Sequence, residues 1–200
     1  MKSPLRYQIT EYDCGSVSMI NCLTYLFERE EIPVELVRII LAYTLDCYDD
    51  RGNLSDTESR KQMMLVISKW IYQYAEQRRI PVRCKYIKGV DVNLLKIRSC
   101  LLLGGCVNLK TYSHGEHFVT ITNMDNEYIY LFDPYYKPKN SYPADGNVQI
   151  IDDAPHYFNR RVKLEQFISD KKLEFALGPE NLREAQLFFR NDILLQREMA

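Results

Sequence analysis

The sequence predicts an α+β fold in which an N-terminal helical half packs on a C-terminal antiparallel sheet. Apolar residues recur at helical spacing over most of the first half, whereas later segments alternate with the two-residue period of strands. The polar pair Asp125-Asn126 separates two such segments and indicates a hairpin. Helices followed by strands are typical of the α+β class. A chain of 200 residues suits a single domain, 1–200, with a helical part of about 1–80 and a sheet part of about 81–200.

Three helices are expected in the first half. The first runs from Ser16 to about Glu30. Its apolar positions are Val17, Ile20, Leu23, Leu26 and Phe27. Pro33 opens the second helix, because proline is tolerated in a first helical turn. The polar stretch from Asp49 to Ser59 predicts a loop, and a third helix then covers Arg60 to Arg78.

Strands and short helices are expected to alternate in the second half. The expected strands are Val82–Tyr86, a strand ending near Leu109, His117–Asn123, Tyr128–Phe132 and Leu173–Leu177. The expected helices are Asp91–Ser99 with Asp91 as its cap, Leu164–Ser169, and a terminal helix from Pro179 to about Glu198. The stretch from Lys137 to Arg161 predicts a long irregular segment, and loops of that length are usually functional.

Composition excludes several classes of function. The formal net charge is −1 with acidic and basic residues interspersed, which is unlike the basic footprint of a nucleic-acid binder. No apolar run approaches the roughly 20 residues that span a bilayer. The segment Met1–Arg6 has no apolar core of a signal peptide, so a cytoplasmic location is expected.

The cysteines do not form a framework of disulfides or metal ligands. They are Cys14, Cys22, Cys47, Cys84, Cys100 and Cys106. No two have CxxC spacing, which disfavours a zinc site or a thioredoxin-like motif. A disulfide framework is disfavoured in a chain of this size and expected location. Five of the six lie in apolar or amphipathic surroundings and are interpreted as small buried hydrophobes.

Cys14 is the exception, because an amphipathic helix begins immediately after it. A thiol at a helix N-terminus lies at the positive end of the helix dipole, which stabilises the thiolate. Gly15 removes side-chain bulk beside the sulfur. Gln8 lies upstream, and its side-chain amide is a candidate donor to an oxyanion, although a glutamine near a helix start often bonds to backbone instead. The pattern predicts a nucleophilic cysteine.

The predicted hairpin brings a base and a carboxylate together. His117 opens the first strand and Asp133 follows the second, so the two residues lie at adjacent strand ends. A carboxylate there accepts from one imidazole nitrogen and leaves the other for the thiol, as in a nucleophile–base–acid triad. His114, in a polar turn, is the rival base, and His156 lies in the long irregular segment.

Three ordered motifs resemble the C39 peptidases and their C39-like relatives, which are papain-like cysteine peptidases. The motifs are Gln8 with Asp13-Cys14-Gly15, then Gly115-Glu-His117-Phe-Val-Thr-Ile, then Tyr128-Ile-Tyr-Leu-Phe-Asp133-Pro134. The resemblance covers roughly Tyr7 to Pro134 and continues more weakly to Phe167. It implies a papain-like fold, Cys14 as nucleophile, His117 as base and then acid, Asp133 as orienter and Gln8 as oxyanion-hole donor.

The sequence also differs from that family in three ways, so the resemblance supports the chemistry more strongly than the substrate. Ser16 stands where relatives often carry proline, the helical region from Leu36 to Arg78 is longer than a minimal processing domain needs, and no transporter module is expected to follow. The leading hypothesis is a peptidase acting on a peptide or protein substrate, with no metal or organic cofactor and with its oligomeric state left open. An acyltransferase using the same site and a catalytically silent peptide-binding module are the alternatives.

Overall fold

The structure is a computed structural model, and it describes residues 1–45 and 58–192. Within those ranges the chain forms five α-helices and one antiparallel sheet of seven strands, which confirms the predicted α+β class. The helices are α1 Cys14–Leu26, α2 Val34–Leu45, α3 Glu58–Arg78, α4 Leu94–Leu102 and α5 Leu164–Phe167. The strands are β1 Val82–Lys88, β2 Cys106–Tyr112, β3 Glu116–Met124, β4 Tyr128–Phe132, β5 Val148–Ile150, β6 Arg160–Lys163 and β7 Glu184–Arg190.

The strand order in the sheet is β1-β7-β2-β3-β4-β6-β5, and every neighbouring pair is antiparallel. β3 and β4 form the expected hairpin. Its turn is fixed by the Asp125 carboxylate, which accepts from the backbone N–H groups of Glu127 and Tyr128 at 2.8 and 2.7 Å. A register shift between Ile121 and Asn123 interrupts the hairpin ladder, and such a bulge increases local twist.

Helices cover both faces of the sheet, so the fold has two hydrophobic cores. One lies under α1, α2 and α3, and the other under α4 and α5. Cys106 and Val107, adjacent on β2, enter opposite cores because successive side chains of a strand point to opposite faces. Leu23 of α1 and Ile97 of α4 are both fully buried, and burying a side chain of this size stabilises the fold by about 1.5–3 kcal/mol.

The helix predicted from Pro179 to about Glu198 is wrong over its central part. Glu184–Arg190 is β7, which lies between β1 and β2 and pairs with both. The segment contains good helix formers, but Ala185, Leu187 and Phe188 are buried in the two cores. Pairing on both sides and burial on both faces outweigh local helix propensity here. The part of the predicted helix beyond residue 192 lies outside the described residues.

The strand predicted over Leu173–Leu177 is also wrong, because this segment is irregular. Phe175 has a φ of 56°, in the left-handed region, which is incompatible with a strand. Its backbone N–H donates to the Tyr112 carbonyl at 2.7 Å, and its ring is fully buried. The alternating pattern in this segment reflects a loop that inserts apolar side chains into the core.

The stretch from Lys137 to Arg161, predicted as irregular, contains two strands at the far edge of the sheet. β5 lies wholly within it, and β6 begins at Arg160.

In the preceding part of the chain, α4 begins later than predicted and is capped by Asn93, whose side chain accepts from the Lys96 N–H at 3.0 Å. The loop predicted over Asp49–Ser59 lies mostly outside the described residues. Within the described ranges, no helix combines the length and the apolarity needed to cross a bilayer.

The turn from α4 into β2 predicts the effect of one substitution. A Cβ atom on Gly105 would lie 2.5 Å from the Phe188 carbonyl oxygen and 2.8 Å from the Cys100 sulfur. We expect Gly105→Ala to lower the free energy of unfolding by about 1–3 kcal/mol, since overpacking a core forces neighbours to move. Chemical denaturation measures this change. Leu95→Ala on the exposed face of α4 is the control, and an equal loss in both variants would contradict the steric explanation.

Candidate active site

Cys14 is the first residue of α1, so its thiol lies at the positive end of the helix dipole. The turn before it is held by the Asp13 side chain, which accepts from the Thr10 N–H at 3.2 Å, and by the Asp13 carbonyl, which accepts from the Val17 N–H at 2.9 Å. Cys14 is partly buried, whereas Cys22, Cys84, Cys100 and Cys106 are buried. Cys47 lies outside the described residues. Of the five described cysteines, Cys14 therefore has the most accessible position.

Two hydrogen bonds fix α1 on β3 just beyond the thiol. The Ser18 hydroxyl donates to the Phe118 carbonyl at 2.9 Å, and the Thr120 hydroxyl donates to the Ser18 carbonyl at 3.0 Å. Gly15 also faces α3, because a Cβ atom there would lie 2.9 Å from the Met64 methyl carbon. A side chain at position 15 would therefore have to displace the flexible end of Met64 beside the Cys14 sulfur.

His117 and Asp133 are in contact and buried. The His117 Nε2 atom lies 2.8 Å from the Asp133 Oδ1 atom, and the two side chains are 9 % and 0 % exposed. An ionised carboxylate only accepts hydrogen bonds, so Nε2 carries the proton in this contact. The other ring nitrogen, Nδ1, remains for the Cys14 thiol. The structure therefore brings together three of the four side chains that the sequence singled out.

The charges of this group reinforce one another. Burial lowers the pKa of His117, but hydrogen bonds and charge from Asp133 and Cys14 outweigh burial and raise it to about 9. Burial likewise opposes ionisation of Cys14. The hydrogen bond and charge of His117, with backbone N–H groups of Phe118 and Gly15, reverse this and place the Cys14 pKa below its ordinary value. Both shifts favour a thiolate beside an imidazolium.

By contrast, burial raises the pKa of the Cys84, Cys100 and Cys106 thiols. Desolvation raises the Cys84 pKa to about 12 and raises the pKa of Cys100 and Cys106 well above the ordinary value. These cysteines behave as the small buried hydrophobes that the sequence predicted. The lowered pKa distinguishes Cys14 from its neighbours on chemical as well as geometric grounds.

Asp133 is held rigidly by backbone contacts. Its Oδ1 atom accepts from the Tyr135 N–H at 2.8 Å as well as from His117. The Asn159 side chain binds the Asp133 backbone twice, accepting from its N–H at 2.7 Å and donating to its carbonyl at 2.8 Å. The position of the carboxylate is therefore set by the amide of Asn159, which lies immediately before β6.

A buried arginine faces the other oxygen of the same carboxylate. Arg160 is 1 % exposed, and its guanidinium lies 3.7 Å from the Asp133 Oδ2 atom. It also donates to the carbonyls of Asn159 and Tyr135 at 2.9 and 3.3 Å and to the Tyr142 hydroxyl at 3.3 Å. A buried charge is costly unless it is paired, so Arg160 compensates the carboxylate on the side away from His117.

Sequence reasoning missed Asn159 and Arg160, because the segment before β6 was predicted to be irregular. One signal was present. Arg160 and Val162 alternate with Arg161 and Lys163, so the short run has strand periodicity with an arginine at an inward position. An arginine on an inward face needs a carboxylate or carbonyl partner, and Asp133 was the carboxylate already assigned to the site.

Gln8 lies beside the site, but its amide is engaged locally. Its backbone N–H donates to the Pro134 carbonyl at 2.9 Å, and its side-chain Nε2 donates to the Thr10 carbonyl at 2.8 Å. Its Oε1 atom is buried and has no hydrogen-bond partner among the described residues. The role of Gln8 as oxyanion donor remains a prediction, and it requires the Nε2 atom to leave Thr10.

The other two histidines stand apart from this hydrogen-bonded group. His114 is exposed in the turn between β2 and β3 and has a φ of 56°. His156 lies between β5 and β6, and its ring faces Tyr157 with centroids 6.5 Å apart. Of the three histidines, His117 is therefore the one that the structure holds against the Asp133 carboxylate.

Comparison with known proteins adds no relative to this picture. No family model matches the chain, and no curated protein matches it. Over residues 1–45 and 58–192, no three His, Cys, Asp or Glu side chains cluster as metal ligands would. The site combines a thiol at a helix N-terminus with an imidazole and a carboxylate that holds the imidazole, which are the groups that acyl transfer uses.

The contact between His117 and Asp133 predicts a shift in the imidazole pKa. We expect Asp133→Asn to lower the His117 pKa from about 9, because the variant removes the carboxylate's charge. NMR titration of isotopically labelled histidine measures the pKa directly. His114→Ala serves to assign the signals and should leave the His117 pKa unchanged. A His117 pKa that stays near 9 in Asp133→Asn would contradict the assigned contact.

The Arg160–Asp133 pair predicts non-additive stability. Arg160→Met removes one of the two positive charges that face the buried Asp133 carboxylate, and breaking a buried pair in this way costs about 3–5 kcal/mol of unfolding free energy. The same substitution made in Asp133→Asn should cost at least about 1 kcal/mol less, since no carboxylate charge remains. Urea denaturation of the four proteins gives the coupling energy. Additive costs would show that Arg160 acts only through its contacts with carbonyls and Tyr142.

Proposed function

We propose that this chain is a cysteine peptidase of the C39-like type. One observation carries the proposal: the buried His117 imidazole contacts the Asp133 carboxylate at 2.8 Å and lowers the pKa of a thiol at a helix N-terminus. The motifs that resemble the C39-like family supply the same three residues in the same order. Structural thiols are normally buried and inert with a raised pKa, as Cys84, Cys100 and Cys106 are, whereas a lowered pKa serves nucleophilic catalysis.

In the proposed mechanism the Cys14 thiolate attacks the scissile carbonyl and forms a tetrahedral intermediate. Imidazolium His117 donates its proton to the leaving amine, and the C–N bond breaks to give a thioester on Cys14. His117, now neutral, takes a proton from water as the water attacks the thioester. The C–S bond then breaks, the acid is released, and the thiolate–imidazolium pair is restored. Asp133 keeps the ring in place throughout.

The developing oxyanion needs donors close to Cys14. The backbone N–H of Cys14 is one, because the first N–H groups of a helix have no partner within the helix. The Gln8 amide is the second, once it exchanges the Thr10 carbonyl for the oxyanion. The exchange keeps the count of hydrogen bonds constant. When the Gln8 amide moves, the Thr10 carbonyl loses this hydrogen bond. Because Thr10 is exposed, water can replace the amide as donor to that carbonyl.

A peptide substrate is supported by exposed aromatic side chains next to the site. Tyr12 precedes Cys14 by two residues and is 66 % exposed, and Tyr136 follows Asp133 by three residues and is 68 % exposed. Tyr7 contacts the Tyr136 ring edge-on, with centroids 5.4 Å apart. Exposed tyrosines present large rigid contact surfaces with a polar tip, which suits binding of peptide side chains.

Alkylation by iodoacetamide tests the activated thiol without knowledge of the substrate. In a Cys47→Ser background, we expect Cys14 to react rapidly below the free-thiol pKa of about 8.5. The rate should fall as pH drops through the Cys14 pKa, because the thiol form is unreactive. His117→Ala should shift this profile to higher pH, since it removes the largest influence that stabilises the thiolate. Mass spectrometry locates the adduct, and Cys14→Ala is the blank.

A Cys14 that reacts slowly near neutral pH and is indifferent to His117 would refute the proposal. Given an activated thiol, a peptide library distinguishes hydrolysis from transfer. Hydrolysis that Cys14→Ala abolishes supports a peptidase. An acyl group passed to an added amine in preference to water indicates an acyltransferase that uses the same thioester.

A further inference from the structure

A groove follows the free side of β1, at the opposite edge of the sheet from β5. It consists of two adjoining cavities of about 590 and 370 Å³. The two cavities share Leu65, Lys85 and Tyr86, and together they are lined by β1 from Arg83 to Lys88. Six strand residues span about 20 Å, so the groove is elongated along the strand. This shape suits an extended chain better than a compact small molecule.

The backbone of β1 has unused hydrogen-bonding groups on this side. Within the described ranges β1 pairs with β7 alone. The ladder is bracketed by two bonds, from the Asn191 N–H to the Pro81 carbonyl and from the Gly89 N–H to the Arg183 carbonyl. In an antiparallel ladder, alternate residues bond to the partner strand. Odd-numbered residues of β1 therefore bond to β7, and Cys84 and Tyr86 direct their N–H and C=O groups into the groove.

The wall opposite β1 is fixed in place by a buried polar network. The Gln186 side chain on β7 donates to the Met64 carbonyl at 3.0 Å and to the Ser68 hydroxyl at 2.7 Å, both on α3. Asn108 on β2 donates to the Gln186 amide oxygen at 2.7 Å. These hydrogen bonds hold α3 against the central strands, so the groove is already formed in the absence of a ligand. Binding therefore does not require free energy to order this wall of the groove.

The charges around the groove are mainly positive. Lysine and arginine side chains line it: Lys69, Arg83, Lys85, Lys88 and Lys96. Asp91 is the single acid in its lining and pairs with Lys96 at 3.3 Å, while Arg83 pairs with Glu76 at 3.4 Å. Over the part of the chain that the structure describes, Lys69, Lys85 and Lys88 have no ion-pair partner. Three lysines without an ion-pair partner therefore lie beside the unpaired backbone groups of β1.

We propose that this groove binds an extended, acidic segment of a partner protein, which adds to β1 as a further strand. The free N–H and C=O groups of Cys84 and Tyr86 supply backbone hydrogen bonds, as in β-strand addition. Apolar side chains of the segment pack on Leu65, Leu103 and Phe189, and its carboxylates face the lysines. Lysines on an edge strand disfavour pairing with a strand that is neutral or basic. Lys85 and Lys88 would therefore select acidic strands and exclude others. The proposal is independent of catalysis at Cys14.

A synthetic strand tests the proposal. The probe is a fluorescein-labelled peptide of about nine residues that alternates glutamate with valine, titrated with the full chain and followed by fluorescence anisotropy. We expect saturable binding that weakens as salt is added, and at least about a tenfold loss in Lys69→Glu/Lys85→Glu. Lys163→Glu/Lys171→Glu, which reverses two charges away from the groove, is the matched control and should bind like the native chain.

Three further measurements separate strand addition from simple charge attraction. A probe with proline in place of its central valine should bind at least about tenfold more weakly, since proline removes a ladder donor. Hydrogen exchange should slow at the amides of Cys84 and Tyr86 when the probe binds. A lysine–valine probe should not bind. The proposal is overturned by no binding at about 1 mM, by equal binding of the proline probe, or by equal binding to the groove variant.

Discussion

The 2.8 Å contact between His117 and Asp133 is the interaction on which the rest of the site depends. It exists because β3 and β4 form a tight hairpin, which brings the start of one strand to the end of the other. The same strand holds α1 through Ser18 and Thr120, so the thiol at the start of α1 approaches the imidazole from a fixed direction. One hairpin thereby sets the relative positions of the Cys14, His117 and Asp133 side chains.

Burial of this contact disfavours the charged Asp133 carboxylate, and neighbouring residues compensate that cost. A carboxylate with no exposed surface is strongly disfavoured unless positive charge and N–H donors surround it. Protonated His117 supplies charge on one side and Arg160 on the other, while the Tyr135 N–H supplies a donor. Because the Arg160 contact is 3.7 Å rather than a close bidentate pair, it compensates charge without withdrawing the carboxylate from His117. The carboxylate remains available to orient the ring.

The sequence predicted the parts of the site that follow from local pattern. The helix after Cys14 and the hairpin between His117 and Asp133 are visible as periodicity and a turn signal, and both are short-range features. Arg160 was missed because its role depends on β6 pairing with β4, a contact across the long segment that separates them. β7 was mistaken for a helix for the same reason, since its partners β1 and β2 lie far away in the sequence. Long-range pairing decided these elements against their local propensities.

The same pairing explains where the surface of the sheet is available for function. β2, β3 and β7 are covered by helices on both faces and by strands on both sides, so their backbone and most of their side chains have no access to a ligand. Side chains that act on a ligand can therefore lie only at the ends of these central strands. Backbone groups that bind a ligand can lie only on the edge strands. His117 lies at an end, where β3 begins beside the helix that carries Cys14. Cys84 and Tyr86 lie along an edge, where β1 pairs with β7 alone among the described strands. The proposed catalytic centre and the proposed strand-binding groove thus occupy separate boundaries of one sheet, so binding at one does not require rearrangement of the other.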